Sequence, residues 1–153
     1  MSYDIQFFFD NRIKLVSLKQ SNDARGNFYE FYNKRLYKNL ISSEDYVQDN
    51  ISFSKHKNTI RGLHFQSPPH NQAKVIHVLK GSIFDVVVDL NPKSKFFGTY
   101  KSFELNENDS NFLYISNDFA HGFCTLKDKT QVIYKTSKYY KPKSEKTITW
   151  KDK

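Results

Sequence analysis

Residues 74–90 read KVIHVLKGSIFDVVVDL, and this stretch indicates the kind of fold to which the chain belongs. Two runs rich in Val and Ile flank a Lys-Gly pair at positions 80–81, a pattern typical of two strands joined by a turn. Alternation along the first run places Lys74 and His77 on opposite faces. The second run is largely apolar on both faces, so Asp85 within it needs buried polar partners. The stretch predicts a hairpin-like pair of interior β-strands.

Similar strand-like runs recur along the whole chain at fairly regular spacing. They cover residues 13–18, 26–31, 47–53, 59–66, 100–105, 111–115, 122–126 and 130–136, with a turn at 21–23 and a candidate last strand at 147–150. Residues 33–39 are the one plausible helix, and it is short. Such spacing is typical of an all-β sandwich or barrel. The fourteen Phe, ten Tyr and only three Ala agree with strands rather than helices.

Length and composition limit the class of protein further. The 153 residues suit one domain, spanning 1–153. The net charge of +8 comes from scattered lysines without a run of like charges, which favours a soluble surface or a phosphate-bearing small ligand over nucleic acid. One cysteine, Cys124, excludes an intrachain disulfide and favours a cytoplasmic location. We expect no membrane segment, since no apolar run approaches about 18 residues, and no signal peptide at the N-terminus.

The stretch Arg61-Gly62-Leu63-His64-Phe65-Gln66, followed by Lys74, combines an imidazole with two cations. A neutral histidine can take a proton near pH 7, and a cation can hold an anionic substrate or a developing enolate. Strand alternation predicts Arg61 and His64 on opposite faces. His64 and His121 each have two interpretations, an interior histidine with satisfied hydrogen bonds or a functional one. His77, among Val and Leu, is more typical of a structural residue.

Other chemistries have weaker support. Metal-binding cupins present a closely spaced His-x-His pair and a downstream Glu, and no such pair occurs here, so we expect no metal and no cofactor. A three-histidine site from His64, His77 and His121 remains an alternative. Neither a Gly-x-Ser-x-Gly nor a phosphate-cradling Gly-x-x-x-x-Gly-Lys motif is present. Tyr134 is a packing residue unless it faces His64, where its hydroxyl could be a general acid.

Taken together, these motifs resemble the dTDP-4-dehydrorhamnose 3,5-epimerase family of sugar-nucleotide enzymes, from about Asp23 to Asp152. The matching segments, in order, are Arg25 to Glu30, Gln48-Asp49-Asn50, Arg61 to Gln66, Gln72-Ala73-Lys74, Phe84 to Asp89, Phe119 to Phe123, Tyr134-Lys135, Tyr139-Tyr140 and Trp150-Lys151-Asp152. Each segment alone is weak. Their order and spacing, including thirteen residues from His121 to Tyr134, make the match specific.

The resemblance implies a cupin-like β jelly roll (a double-stranded β-helix), a homodimer with exchanged N-terminal strands, and no metal. It implies epimerisation of a nucleotide-linked 4-keto sugar at C3, C5 or both. By this analogy His64 removes a proton from a carbon beside the keto group, Lys74 stabilises the enolate oxygen, and Tyr134 returns a proton from the opposite face. The substrate-binding positions that it implies are Arg25, Glu30, Gln48, Asn50, Arg61, His121 and Tyr140.

One family feature has no counterpart among these 153 residues, namely the aspartate that pairs with the catalytic histidine. We expect another inward polar group to orient His64, with Asp85 as a candidate. Inversion of a single centre, or a keto-sugar isomerisation that moves the carbonyl, gains plausibility for the same reason. A sugar-nucleotide-binding dimer without activity is the alternative from another class. The retention of His64, Lys74 and Tyr134 together favours an enzyme.

Overall fold

A computed structural model describes residues 3–151, and most of them lie in or between β-strands. The strands are β1 (Tyr3–Phe8), β2 (Ile13–Leu18), β3 (Ser21–Asp23), β4 (Gly26–Phe28), β5 (Gln48–Ser54), β6 (Ile60–Gln66), β7 (Lys74–Lys80), β8 (Ser82–Asp89), β9 (Tyr100–Asn106), β10 (Asn111–Ile115), β11 (Phe119–Thr125), β12 (Thr130–Thr136) and β13 (Glu145–Thr147). One helix, α1, spans Lys34–Leu40, and Pro142–Ser144 form a 3-10 turn. The all-β class is confirmed, whereas Asp152 of the Trp150-Lys151-Asp152 segment lies outside the described residues.

The strands form two antiparallel sheets and a separate two-stranded ribbon. The first sheet has the order β1-β2-β10-β7-β12-β5, the second has the order β13-β6-β11-β8-β9, and β3 pairs with β4 in the ribbon. A cluster of buried residues drawn from both sheets, including Ile76, Val78, Ile83, Val87 and Leu113, packs between them. Each buried aliphatic side chain of this kind contributes about 1.5–3 kcal/mol. The two sheets are therefore held face to face by an apolar core.

Helix α1 covers the outer face of the first sheet. It begins after Asn33, whose side chain accepts hydrogen bonds from the backbone N–H groups of Arg35 and Leu36, as an N-cap does. Tyr37 on this helix is buried and stacks on Phe112 of β10. The helix thus lies on the side of the sheet away from the second sheet. No helix in the described residues is long and apolar enough to cross a membrane.

Strands β7 and β8 do not form the hairpin-like pair that the sequence predicts. Strand β7 pairs with β10 and β12 in the first sheet, whereas β8 pairs with β9 and β11 in the second. The turn at Gly81, with a φ of +83°, carries the chain from one sheet to the other. Both strands bury apolar side chains between the sheets, so they face each other across the core instead of pairing. The predicted turn at 21–23 is likewise wrong, since Ser21–Asp23 is strand β3.

A β-bulge between β6 and β11 changes which side chains point inward. His64 pairs with His121 and Arg61 pairs with Phe123, so three steps along β6 match two steps along β11. The extra residue reverses the alternation, and Arg61 and His64 both line the space between the sheets. The predicted placement of these two residues on opposite faces is therefore wrong.

Two glycines make this bulge possible. Gly62 has a φ of +118°, and a Cβ atom placed on it would lie 2.5 Å from the Cα atom of Gly122 on β11. A side chain at either position would push the two strands apart. The close approach of the two backbones at the bulge explains why glycine occupies both positions.

Candidate active site

A cavity of about 540 Å³ lies between the two sheets, a size typical of small-molecule sites. Its walls come from β5, β7 and β12 of the first sheet and from β6, β11 and β13 of the second. It is lined by eight of the ten predicted site residues: Gln48, Asn50, Arg61, His64, Lys74, His121, Tyr134 and Tyr140. The fold thus brings together residues that are up to 92 positions apart in the sequence, as the hydrogen bond between Tyr140 and Gln48 illustrates.

A carboxylate holds the imidazole of His64 in place. The Nδ1 atom of His64 lies 3.1 Å from Oε1 of Glu145, and the Tyr140 hydroxyl donates to Oε2 of the same carboxylate at 2.7 Å. The His64 side chain is 46% exposed, on the wall formed by the second sheet. The hydrogen bond from Tyr140 and that with His64 lower the pKa of Glu145. Glu145 is therefore a carboxylate at neutral pH and can only accept hydrogen bonds.

Lys74 lies at the start of β7, on the opposite wall of the cavity. It is partly buried, and the loss of hydration lowers the pKa of its ammonium group to about 8. The negative charges of Asp85 and Glu145 act in the other direction and raise this pKa. At neutral pH the side chain is therefore a cation without a full hydration shell. Such a group is well suited to bind a developing oxyanion.

Tyr134 lies on β12, next to the strand that carries Lys74. It pairs in register with Ile76 of β7 and Asn50 of β5, and its ring packs against the core between the sheets. Burial raises the pKa of its phenol, although the charge of Arg61 partly opposes this shift. The hydroxyl therefore keeps its proton at neutral pH and can act as an acid. It belongs to the first sheet, whereas His64 belongs to the second.

His121 is fixed by Asp85, which the sequence analysis had considered as a partner for His64. The Nε2 atom of His121 lies 2.7 Å from Oδ2 of Asp85, and the Asp85 side chain is fully buried. The expectation that Asp85 orients His64 is therefore wrong. The two histidines face each other on neighbouring strands, and each has a carboxylate of its own.

The remaining polar groups of the cavity are on β5, together with Arg61 of β6, which hydrogen-bonds to that strand. Arg61 donates to the side chain of Ser54 at 3.1 Å and to the backbone carbonyl of Phe53 at 3.0 Å. The Gln48 side chain donates to Asn50 at 2.9 Å and accepts from the backbone N–H of Tyr140 at 3.0 Å. No carboxylate within the described part of the chain forms a salt bridge with Arg61, so its charge is available to an anion.

Arg25 and Glu30 do not line this cavity. Arg25 lies on the ribbon of β3 and β4, its side chain is 90% exposed, and it forms an ion pair with Asp23 at 2.7 Å. The neighbouring Phe28 is 73% exposed. One carboxylate oxygen of Glu30 is buried without a hydrogen-bond partner in the described residues. Within one copy of the chain, these two predicted binding residues therefore lie outside the cavity that the other eight predicted site residues line.

The structure does not bring His77 near the other two histidines. Its Nδ1 atom lies 2.6 Å from the carbonyl oxygen of Asn111, and Nε2 lies 2.7 Å from the hydroxyl of Tyr29. The ring stacks on Phe31, outside the core between the sheets. Among residues 3–151 no group of three His, Cys, Asp or Glu side chains could hold a metal ion. The structure therefore does not assemble the three-histidine site that the sequence left as an alternative.

Glu145 is a cavity residue that the sequence did not predict. The predicted last strand at 147–150 did not include it, whereas β13 spans Glu145–Thr147 and pairs with β6. Glu145 pairs in register with Gln66, two residues from His64. This pairing joins segments about 80 residues apart, and no periodicity near Glu145 indicates it. The sequence carried no signal for this contact.

An all-β fold that sets a histidine against a tyrosine and a lysine across a polar cavity holds the groups that an enzyme of proton transfer on a small anionic molecule needs. Residues 11–153 match the family model for dTDP-4-dehydrorhamnose 3,5-epimerase, and the chain belongs to this family. It is an epimerase, as its curated relatives are. The resemblance seen in the sequence is confirmed.

Curated relatives and solved structures agree with this assignment. The dTDP-4-dehydrorhamnose 3,5-epimerase of Salmonella typhimurium is 40% identical over 141 residues, which cover 92% of this chain and 76% of that protein. The crystal structure of the Bacillus anthracis enzyme with TDP and PPi bound superposes on this chain with a TM-score of 0.95 at 38% sequence identity. The superposition covers 99% of this chain and 87% of the Bacillus chain. A Legionella pneumophila 3,5-epimerase in complex with dTDP-4-keto-L-rhamnose superposes with a TM-score of 0.94 at 36% sequence identity. This superposition covers 99% of this chain and 80% of the Legionella chain. The cupin-like fold is confirmed.

Proposed function

We propose that this epimerase inverts C3, C5 or both of a nucleotide-linked 4-keto sugar, within one cupin-like domain spanning residues 1–153. One observation carries the proposal: His64 and Tyr134 line the same cavity from opposite sheets. A base and an acid on opposite sides of a bound sugar are the arrangement that inversion requires. The names of the relatives and the dTDP-sugar bound by the Legionella enzyme support the substrate class.

The chemistry begins at a carbon beside the 4-keto group, where the carbonyl acidifies the C–H bond. His64 takes this proton, and the electron pair of the C–H bond moves into the enolate, whose oxygen gains the negative charge. The Lys74 ammonium group then stabilises that oxygen at the moment its charge develops, which lowers the barrier. Tyr134 returns a proton to the carbon from the opposite face, and the centre is inverted. The base and the electrophile are both side chains, so we propose that the reaction needs no metal.

We propose that the substrate's phosphates lie near Arg61, with Gln48, Asn50, His121 and Tyr140 as further contacts. Arg61 faces the cavity, forms no salt bridge within the described residues and can bind a phosphate through its guanidinium group. The remaining predicted binding residues, Arg25 and Glu30, do not reach this cavity. A homodimer with exchanged N-terminal strands reconciles both facts, because the exposed ribbon of one copy would reach the cavity of the other. The cytoplasmic location stays a prediction.

Mixing two variants tests this dimer. His64→Ala should abolish activity in its own cavity, and Arg25→Ala should weaken substrate binding in the partner's cavity. When the two are unfolded and refolded together in equal amounts, about half of the dimers are mixed and each of these has one intact site, so about a quarter of the normal activity should return. If the mixture is no more active than the two separate variants, Arg25 does not act across a dimer interface.

Deuterium uptake tests the proposed function. A dTDP-linked 4-keto-6-deoxy sugar incubated with the protein in D2O should gain deuterium at C3 or C5, measured by mass spectrometry and NMR. A moved carbonyl would instead indicate the keto-sugar isomerase. If several 4-keto sugar nucleotides gain no deuterium, the protein is a binding module and the proposal fails.

Tyr134→Phe separates the two proton transfers. Abstraction by His64 survives in this variant, but protonation from the far face does not. Deuterium uptake with retained configuration should therefore continue, while inversion should fall by about 10²–10⁴-fold, the usual contribution of a positioned acid. Equal losses of exchange and inversion would contradict the role given to Tyr134. His64→Ala is the matched variant in which both should disappear.

A further inference from the structure

We infer that Glu145, fixed by Tyr140, is the positioning residue that sets the tautomer and the ring orientation of His64. This inference rests on the proposed function, in which His64 is the base. Glu145 lies 3.1 Å from Nδ1 of His64, and its second oxygen accepts from Tyr140 at 2.7 Å. The only other carboxylate identified beside a cavity histidine, that of Asp85, contacts His121 instead. Within the described residues, Glu145 is thus the partner available to His64.

The chemistry of a carboxylate decides which nitrogen of His64 carries the proton. An ionised carboxylate has no proton to donate, so the contact is a hydrogen bond only if Nδ1–H is the donor. The neutral ring then has its proton on Nδ1 and a lone pair on Nε2. No hydrogen bond within residues 3–151 involves Nε2 of His64. Glu145 therefore keeps the basic nitrogen free for the substrate.

The position of the carboxylate is itself fixed from two sides. Strand β13 pairs with β6, which places Glu145 opposite Gln66 on the strand of His64. The Gln66 side chain accepts from the backbone N–H of Lys141 at 2.7 Å, and Gln48 accepts from the backbone N–H of Tyr140 at 3.0 Å. These bonds hold the segment that carries Tyr140 and Glu145 against the cavity wall. The imidazole is thus oriented by a supported group rather than by a free surface side chain.

The carboxylate also acts during the reaction. When His64 takes a proton on Nε2, the ring becomes an imidazolium, and the negative charge of Glu145 stabilises it. The hydrogen bond from the Tyr140 hydroxyl stabilises the ionised form of Glu145 and lowers the pKa of its carboxyl group. Removal of Glu145 should therefore slow proton abstraction more than it weakens binding. Slower proton abstraction lowers kcat, whereas weaker substrate binding would raise KM.

Nitrogen-15 NMR of the histidine ring tests this inference without substrate. In wild-type protein the neutral ring of His64 should be the Nδ1–H tautomer. In Glu145→Gln the amide can donate to Nδ1, so the signal should move toward the Nε2–H tautomer, and kcat for deuterium uptake should fall about 10- to 100-fold with KM changed less than about threefold. Tyr140→Phe keeps the carboxylate and should show a smaller change in the same direction.

Glu104→Gln is the matched control, because Glu104 is exposed on β9 and does not line the cavity. It should leave the ring signals and kcat unchanged. A wild-type His64 in the Nε2–H form would overturn the inference, as would unchanged signals and unchanged kcat in Glu145→Gln. A clear tautomer change in that variant, in a protein that takes up no deuterium, would support the positioning role and contradict the proposed function.

Discussion

The pH dependence of activity should follow the ionisation of Lys74. Burial lowers the pKa of this ammonium group to about 8, far below the value of about 10.4 for a lysine in water. With this pKa, about nine-tenths of the molecules carry the charge at pH 7 and about one-tenth at pH 9. If the charged form stabilises the enolate, kcat/KM should fall about tenfold between these pH values. This parameter is the one to follow, because kcat/KM reports the ionisation of groups in the free enzyme.

Initial rates of deuterium uptake, measured well below KM from pH 6 to pH 10, would follow this fall. Lys74→Arg is the critical variant, because a guanidinium stays charged throughout this range. Its rate should be lower, since the group has a different shape, but its profile should lose the fall centred near pH 8. Lys80→Met, at the exposed end of the same strand, should keep it. A wild-type profile that is flat to pH 10, or an unchanged fall in Lys74→Arg, would refute the role of Lys74.

Two further predictions concern buried groups. The charge of Asp85 raises the pKa of Lys74, so Asp85→Asn should move the fall in kcat/KM toward lower pH, and an unmoved profile would contradict this coupling. His77 is held neutral because burial lowers its pKa, so the unfolded chain binds more protons and the free energy of unfolding should decrease as the pH falls below about 6.5. His77→Phe, followed by urea unfolding, should cost about 1–3 kcal/mol at pH 7.5 and reduce this pH dependence. A stability that falls as steeply with pH in the variant would assign the effect to another group.

The local pattern of the sequence was enough to place many strands. The predicted strands at 13–18, 111–115 and 130–136 match β2, β10 and β12 residue for residue. Each of these strands is rich in apolar and β-branched residues and buries several of them, four in a row in β10, so residue type alone indicates a strand. Strand β1, in contrast, was not predicted. Most of its residues are exposed, and its position depends on pairing with β2 rather than on a pattern of its own.

Pairing between distant segments could not be predicted in the same way. The runs at 74–80 and 82–89 looked like a hairpin because they are adjacent and joined by a Lys-Gly turn, yet they belong to different sheets. Which strand pairs with which depends on how all of the inner faces pack together. No local pattern near Gly81 contains that information.

The same limit applies to the candidate site. The motifs around His64, Lys74 and Tyr134 identified the cavity, because residue type and order along the chain were enough for a family match. The orientation of Arg61 depended on a bulge, and the partner of His64 depended on the pairing of β13 with β6. Both features arise from contacts between segments, and the predictions for both were wrong. The sequence thus predicted which residues line the cavity more reliably than how they are oriented.

The two-sheet architecture itself explains why this fold suits inversion. An enolate carbon is planar, so base and acid must approach from opposite faces, and two residues on one strand face cannot do so. Here the facing sheets supply them: His64 lies on an exposed wall where its proton can exchange with water, whereas burial raises the pKa of Tyr134 on the other wall. The phenol therefore keeps its proton at neutral pH, as the proposed acid must. The difference in hydration between the two walls is in keeping with the proposal that His64 abstracts and Tyr134 donates the proton.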